Sequence, residues 1–133
     1  MGDGIWEGLR LVNNKWIFID EHIDRLFEGC KAIDLDIKMT KEDIVNALDE
    51  TKTINNMSNE VHARLMITRG NKSKPFQQPH LSESGINIVI IMEHSKPNTD
   101  LKNITMATVP QVRGMPMSQD PKLNSHSKLN CIL

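Results

Sequence analysis

The sequence contains no tyrosine, only two tryptophans and three phenylalanines, and only two cysteines. Without a phenol, any hydroxyl donor in a site has to come from serine, threonine or water. Cys30 and Cys131 lack the spacing of a thiolate metal site and read as reduced thiols of a cytoplasmic protein. An excess of one charge is lacking too. Sixteen Lys and Arg nearly cancel seventeen Asp and Glu, and no basic block stands out. Nothing in that balance points to nucleic acid or to an anionic membrane surface. Apolar runs such as Ile88-Val89-Ile90-Ile91-Met92 are far too short to cross a bilayer. No charged-then-apolar leader precedes Asp3, so no secretory signal is expected. At 133 residues the chain is one domain's worth, too short for two full lobes.

What is present is a clear succession of patterns. Ile5 to Val12 alternates as a strand does, with Ile5, Glu7, Leu9 and Leu11 on one face. Trp6, Gly8, Arg10 and Val12 occupy the other face. Asn13-Asn14-Lys15 signals a turn, and Trp16-Ile17-Phe18 reads as the returning strand of a hairpin. A helix capped by Asp20 should follow, with Ile19, Ile23, Leu26, Cys30 and Ile33 in one apolar stripe. A second helix is expected after Thr40, which can cap it, while Glu42 and Asp43 suit its positive end. Its buried side should carry Ile44, Ala47, Leu48 and Thr51.

Val61 to Thr68 alternates again, with His62, Arg64, Met66 and Thr68 sharing one face. Residues 70–85 are polar and proline-punctuated, hence a loop. Ile86–Met92 and Ile104–Val109 read as two more strands, the first apolar enough for a central place. Val109–Pro121 reads as a linker, and Ser125–Leu133 as the beginning of another helix. A hairpin, two helices and three strands predict an α+β domain, an antiparallel-rich sheet with two helices packed on one face.

Three short motifs carry chemistry. The first is Gly2-Asp3-Gly4-Ile5-Trp6-Glu7-Gly8-Leu9-Arg10, and the second Glu21-His22-Ile23-Asp24-Arg25-Leu26. The third is Asp120-Pro121-Lys122-Leu123, followed by Leu129-Asn130-Cys131-Ile132-Leu133. On helix spacing alone Arg25 would pair with Glu21 or Asp24 across a turn, and either Lys122 or Lys128 would be an exposed amine. Taken together and in this order, the motifs resemble the class IV, pyridoxal-phosphate-dependent aminotransferases of fold type IV. That group includes branched-chain and D-amino-acid aminotransferases and aminodeoxychorismate lyase.

The resemblance implies the N-terminal domain of that fold over residues 1–109, without its first strands. It implies an interdomain linker over 110–121 and the start of a second domain over 122–133. It also implies the cofactor pyridoxal 5'-phosphate, with Arg25 on its phosphate, a task that the planar, permanently charged guanidinium suits. Lys122 would anchor the cofactor, with Lys128 as the alternative. Trp6, Gly8, Arg10, His62 and Arg64 would line the substrate side, and no metal is expected. Arg64 could meet a side-chain carboxylate such as that of glutamate.

The sequence departs from the pattern at two of these places. Branched-chain enzymes often carry tyrosine where His62 stands, and Trp6 replaces a commoner phenylalanine. His22 fits the pattern and is expected to cap or pack near the helix start. In Thr68-Arg69-Gly70 the glycine should allow the left-handed turn that ends the strand.

The implied activity is transamination of amino acids, branched-chain ones with 2-oxoglutarate first, as part of a longer homodimeric enzyme. The alternatives are a D-amino-acid aminotransferase, an aminodeoxychorismate lyase-like enzyme, or a non-catalytic fragment acting as a dimerisation module. The second domain that would supply the partner of the pyridine nitrogen is not among these residues.

Overall fold

The computed structural model describes residues 3–99, 104–110, 112, 114–128 and 132. Strand β1 (Gly4–Val12) turns at Asn13-Asn14 into the two-residue β2 (Lys15–Trp16). Both asparagines take positive φ, 48° and 64°, as a tight two-residue hairpin loop requires. Helices α1 (Ile19–Ala32) and α2 (Lys41–Ile54) follow, then β3 (Val61–Thr68) and β4 (Asn87–His94). The sheet order is β2-β1-β3-β4, with every pairing antiparallel. The class and the helix placement therefore match the sequence expectation.

Helix α1 begins two residues earlier than the sequence suggests. Phe18, in a left-handed conformation with φ 52°, is the cap, and no side chain bonds the first turn. Asp20 lies inside the helix, where its carboxylate still faces the positive end of the dipole. Helix α2 follows the expected rule. Thr40 Oγ1 accepts from the Asp43 amide, and Asp43 accepts in return from the Thr40 amide, a reciprocal capping box.

One face of the sheet carries both helices and the core. Ile5, Leu9, Ala63, Leu65 and Ile67 meet Ile23, Leu26, Cys30, Ile44 and Leu48 there, all essentially without solvent contact. A core of this kind supplies most of the stability through burial of apolar surface. Gly70 ends β3 at φ 87°, and a Cβ there would lie 1.6 Å from the Gly85 carbonyl oxygen. Only glycine fits that crossing.

Four expectations fail beyond the α1 cap. The returning strand is Lys15–Trp16 and not Trp16–Phe18, because the chain already turns into α1 at Ile17 and Phe18. β4 is an edge strand and not a central one: Ile88, Ile90 and Met92 face the core, while Val89 and Ile91 are exposed on the other face. Ile104–Val109 forms no strand, because its alternation finds no neighbouring strand to bond, and Ile104 and Val109 are exposed. Residues 125–128 are not helical. Ser125 instead pairs with Ile5, adding a short rung to the free edge of β1. The rest of that expected helix, Leu129–Cys131 and Leu133, lies outside the described residues.

Candidate active site

Alternation along β1 and β3 decides which side chains can meet. Because β1 pairs with β3 in the register Trp6↔Met66, Gly8↔Arg64 and Arg10↔His62, these six residues share the sheet face away from the helices. On that face Trp6, Arg64, Met66, His126 and Lys128 line an open cleft of 280 Å³. The Arg64 guanidinium carbon stands 4.8 Å from the centre of the Trp6 ring, and Lys128 Nζ stands 5.8 Å from it. Both lie within reach of a cation–π contact. Among the described residues no carboxylate lines the cleft, so its electrostatics suit an anion.

The remaining side chains of this face have their own partners. Arg10 donates to the Ser95 carbonyl. His62 lies 3.8 Å from the Glu93 carboxylate at the rim. A Cβ at position 8 would press to 3.3 Å from His62 Nε2, so Gly8 leaves room for that imidazole. His126 Nε2 is buried without a hydrogen-bond partner among the described residues. Burial and the nearby Arg64 charge lower the pKa of His126 below the ordinary histidine value.

The two lysines differ in place. Lys122 is exposed in a turn, its amide bonded to the Asp120 carboxylate. Lys128 belongs to the cleft wall. What brings it there is the pairing of the preceding segment with β1. Trp6 N–H donates to Asn124 O (2.9 Å), and His126 N–H donates to Gly4 O (3.0 Å).

Arg25 stands on the opposite face. Its Nε and Nη2 donate to the two carboxylate oxygens of Glu7 at 2.7 and 2.5 Å. His22 Nδ1 lies 2.8 Å from the same carboxylate. Glu7 is completely buried, and Arg25 is half exposed. The bonds to Glu7 raise the pKa of Arg25 further, and its Nη1 has no partner among the described residues. Helix spacing suggests Glu21 or Asp24 as partners and misses Glu7. The signal is nonetheless present, since a glutamate between Ile5 and Leu9 on a core-facing stripe needs hydrogen-bond donors or a cation that reaches it.

Arg25 and the cleft are thus separated by the sheet but not by a continuous one. The outer edge of β1 is covered at Gly4–Trp6 by residues 124–126 and at Leu11–Val12 by β2. Gly8 lies in the gap between them. A larger hollow of 640 Å³ sits beside Arg69 and Lys72. Two of its three Lys and Arg side chains are engaged: Arg69 binds Asp3 and the Ile33 and Asp34 carbonyls, and Lys72 binds the Phe76 and Gln77 carbonyls, while Lys74 also lines it. The Arg69 bonds brace the end of α1.

The amino-transferase class IV profile matches residues 4–133. The chain belongs to this family. Over 133 residues it is 33% identical to branched-chain-amino-acid aminotransferase-like protein 1 of Arabidopsis thaliana, covering 99% of this chain and 24% of that protein. Over 69 residues, 52% of this chain and 24% of the relative, it is 41% identical to a D-alanine aminotransferase of Listeria monocytogenes. This family member therefore spans about a quarter of the length of those relatives.

Among solved structures, a putative 4-amino-4-deoxychorismate lyase from Legionella pneumophila superposes with a TM-score of 0.69 at 16% identity. The match covers 98% of this chain and 46% of that one. The branched-chain amino acid aminotransferase from Escherichia coli gives 0.57 at 18% identity, over 68% of this chain and 32% of that one. Both show the same fold.

Proposed function

We propose that this chain forms one wall of the pocket of a pyridoxal-phosphate-dependent aminotransferase that acts on branched-chain amino acids with 2-oxoglutarate. The observation that carries the reading is the cleft in which Arg64 and Lys128 flank the Trp6 ring with no carboxylate among its lining residues. The residues present fit the cofactor in charge and in kind: the Lys128 amine with the Arg64 guanidinium in the same cleft, and Arg25 with a guanidinium nitrogen unbonded among the described residues.

Bound pyridoxal phosphate supplies the electron sink for bonds at the substrate α-carbon. The chain's own residues have the other tasks. Arg25, oriented by Glu7, would hold the phosphate with its remaining guanidinium donor. A lysine amine would hold the cofactor and would move a proton at the substrate α-carbon. Lys128 is supported by its place in the cleft, and Lys122 by its motif alone. Arg64 is suited to the side-chain carboxylate of glutamate, His62 to the α-carboxylate, and Trp6 to the wall of the side-chain pocket. A homodimeric parent in the cytoplasm belongs to the same reading. The relative named for D-alanine supports a second substrate class for the same site.

The test is reduction of the 133-residue chain with borohydride after incubation with pyridoxal phosphate, followed by peptide mapping. A dominant adduct at Lys128 is expected. A dominant adduct at Lys122 would move the anchor to the linker, and labelling spread evenly over all lysines would sink the reading.

A further inference from the structure

We propose that Trp6 is a positioning residue, whose indole N–H fastens the lysine-bearing segment to the free edge of β1. The inference rests on the reading of Lys128 as the cofactor anchor. The segment is attached by four bonds within three residues. Two are the backbone pair that frames Ile5 and Ser125, from Trp6 N–H to Asn124 O and from His126 N–H to Gly4 O. The third runs from Asn124 Nδ2 to Trp6 O at 2.7 Å. The fourth runs from Trp6 Nε1 to Ser125 O at 3.1 Å.

The first three bonds take nothing from the side chain at position 6, and any residue but proline would leave them in place. The fourth needs a ring donor, which tryptophan has and phenylalanine lacks. A single rung of sheet is marginal without further support. The Ser125 carbonyl is already on the inner, nearly closed side of the segment, and Ser125 itself is only 5% exposed. Gln119 braces the same turn from the other side, donating to Ser125 Oγ at 2.6 Å. Two residues past Ser125's neighbour His126, Lys128 Nζ stands over the ring that holds the segment. The same side chain thus sets the segment's place and bounds the reach of the amine.

The experiment compares the 133-residue chain with its Trp6→Phe variant in two measurements. Hydrogen exchange of the His126 amide should quicken roughly five-fold on loss of one net hydrogen bond. The ratio of Lys128 to Lys122 labelling by pyridoxal phosphate and borohydride should fall by about the same factor. Unchanged exchange, or an unchanged labelling ratio beside faster exchange, would overturn the inference. Lack of a Lys128 adduct in the unaltered chain would overturn the assignment of Lys128 as the anchor, labelling spread evenly over all lysines would overturn the functional reading, and in either case the exchange result would still decide the tether. Should Trp6→Phe not fold, benzothienylalanine at position 6 keeps the bicyclic shape with sulfur in place of the N–H, and the same two measurements apply.

Discussion

Glu7 shows how much one carboxylate can organise. It is completely buried, yet it accepts two bonds from Arg25 and contacts His22, so its charge is compensated where water cannot reach. Replacing it with glutamine removes the charge and turns an amide donor toward a guanidinium. Glu7→Gln should cost about 1–3 kcal/mol, the range for losing charge-assisted bonds. Arg25 is half exposed and can turn to solvent, which keeps the loss below that of a fully buried pair. Urea unfolding measures this, and a midpoint unchanged at constant slope would show that the cluster adds nothing. The need for a partner is legible in β1's alternation, because a charge on the core-facing stripe implies one. The identity of that partner is not, since Arg25 lies 18 positions away and meets Glu7 only once α1 is packed on the sheet.

Among the elements, α2 is the most legible, because everything that starts it is local. The Thr40 and Asp43 side chains close both ends of the capping box within four residues. Thr40→Ala should therefore destabilise the fold by about 1 kcal/mol, with Thr40→Ser close to the original. Thermal unfolding of both variants checks this, and equal losses in the two would rule out the hydroxyl bond as the cause. β4 and residues 104–109 mislead for the opposite reason. Both have strand-like composition, but strand position and even strand existence depend on which neighbour is available. β4 finds β3 on one side only, and residues 104–109 find no partner among the described residues. The face of the candidate site is legible from period two alone, whereas its Lys128 wall requires the return of the chain to β1.

At the scale of the whole molecule, the site is a one-sided structure. Helices cover one face of the sheet, and the cleft opens on the other beside exposed Val89 and Ile91. His126 ties that open face to pH. Its folded-state pKa lies below the ordinary value, so the unfolded chain binds the proton more readily. Stability is then fully present above the ordinary histidine value, near pH 6.5, and declines as pH falls through the lowered pKa. The midpoint in urea should drop between about pH 7 and pH 5 by less in His126→Gln than in the unaltered chain. Equal drops would assign the effect to other groups.

The rung that joins Trp6 to Ser125 spans 119 positions of sequence. Synthesis at about 5–20 residues per second puts many seconds between the emergence of the two ends. Through that interval the amino-terminal edge of β1 stands unpaired beside its hairpin, available to any other extended chain. The residues around Ser125 are therefore also the ones that retire this hazard, and a nascent chain stalled before them would present a ready template for aggregation.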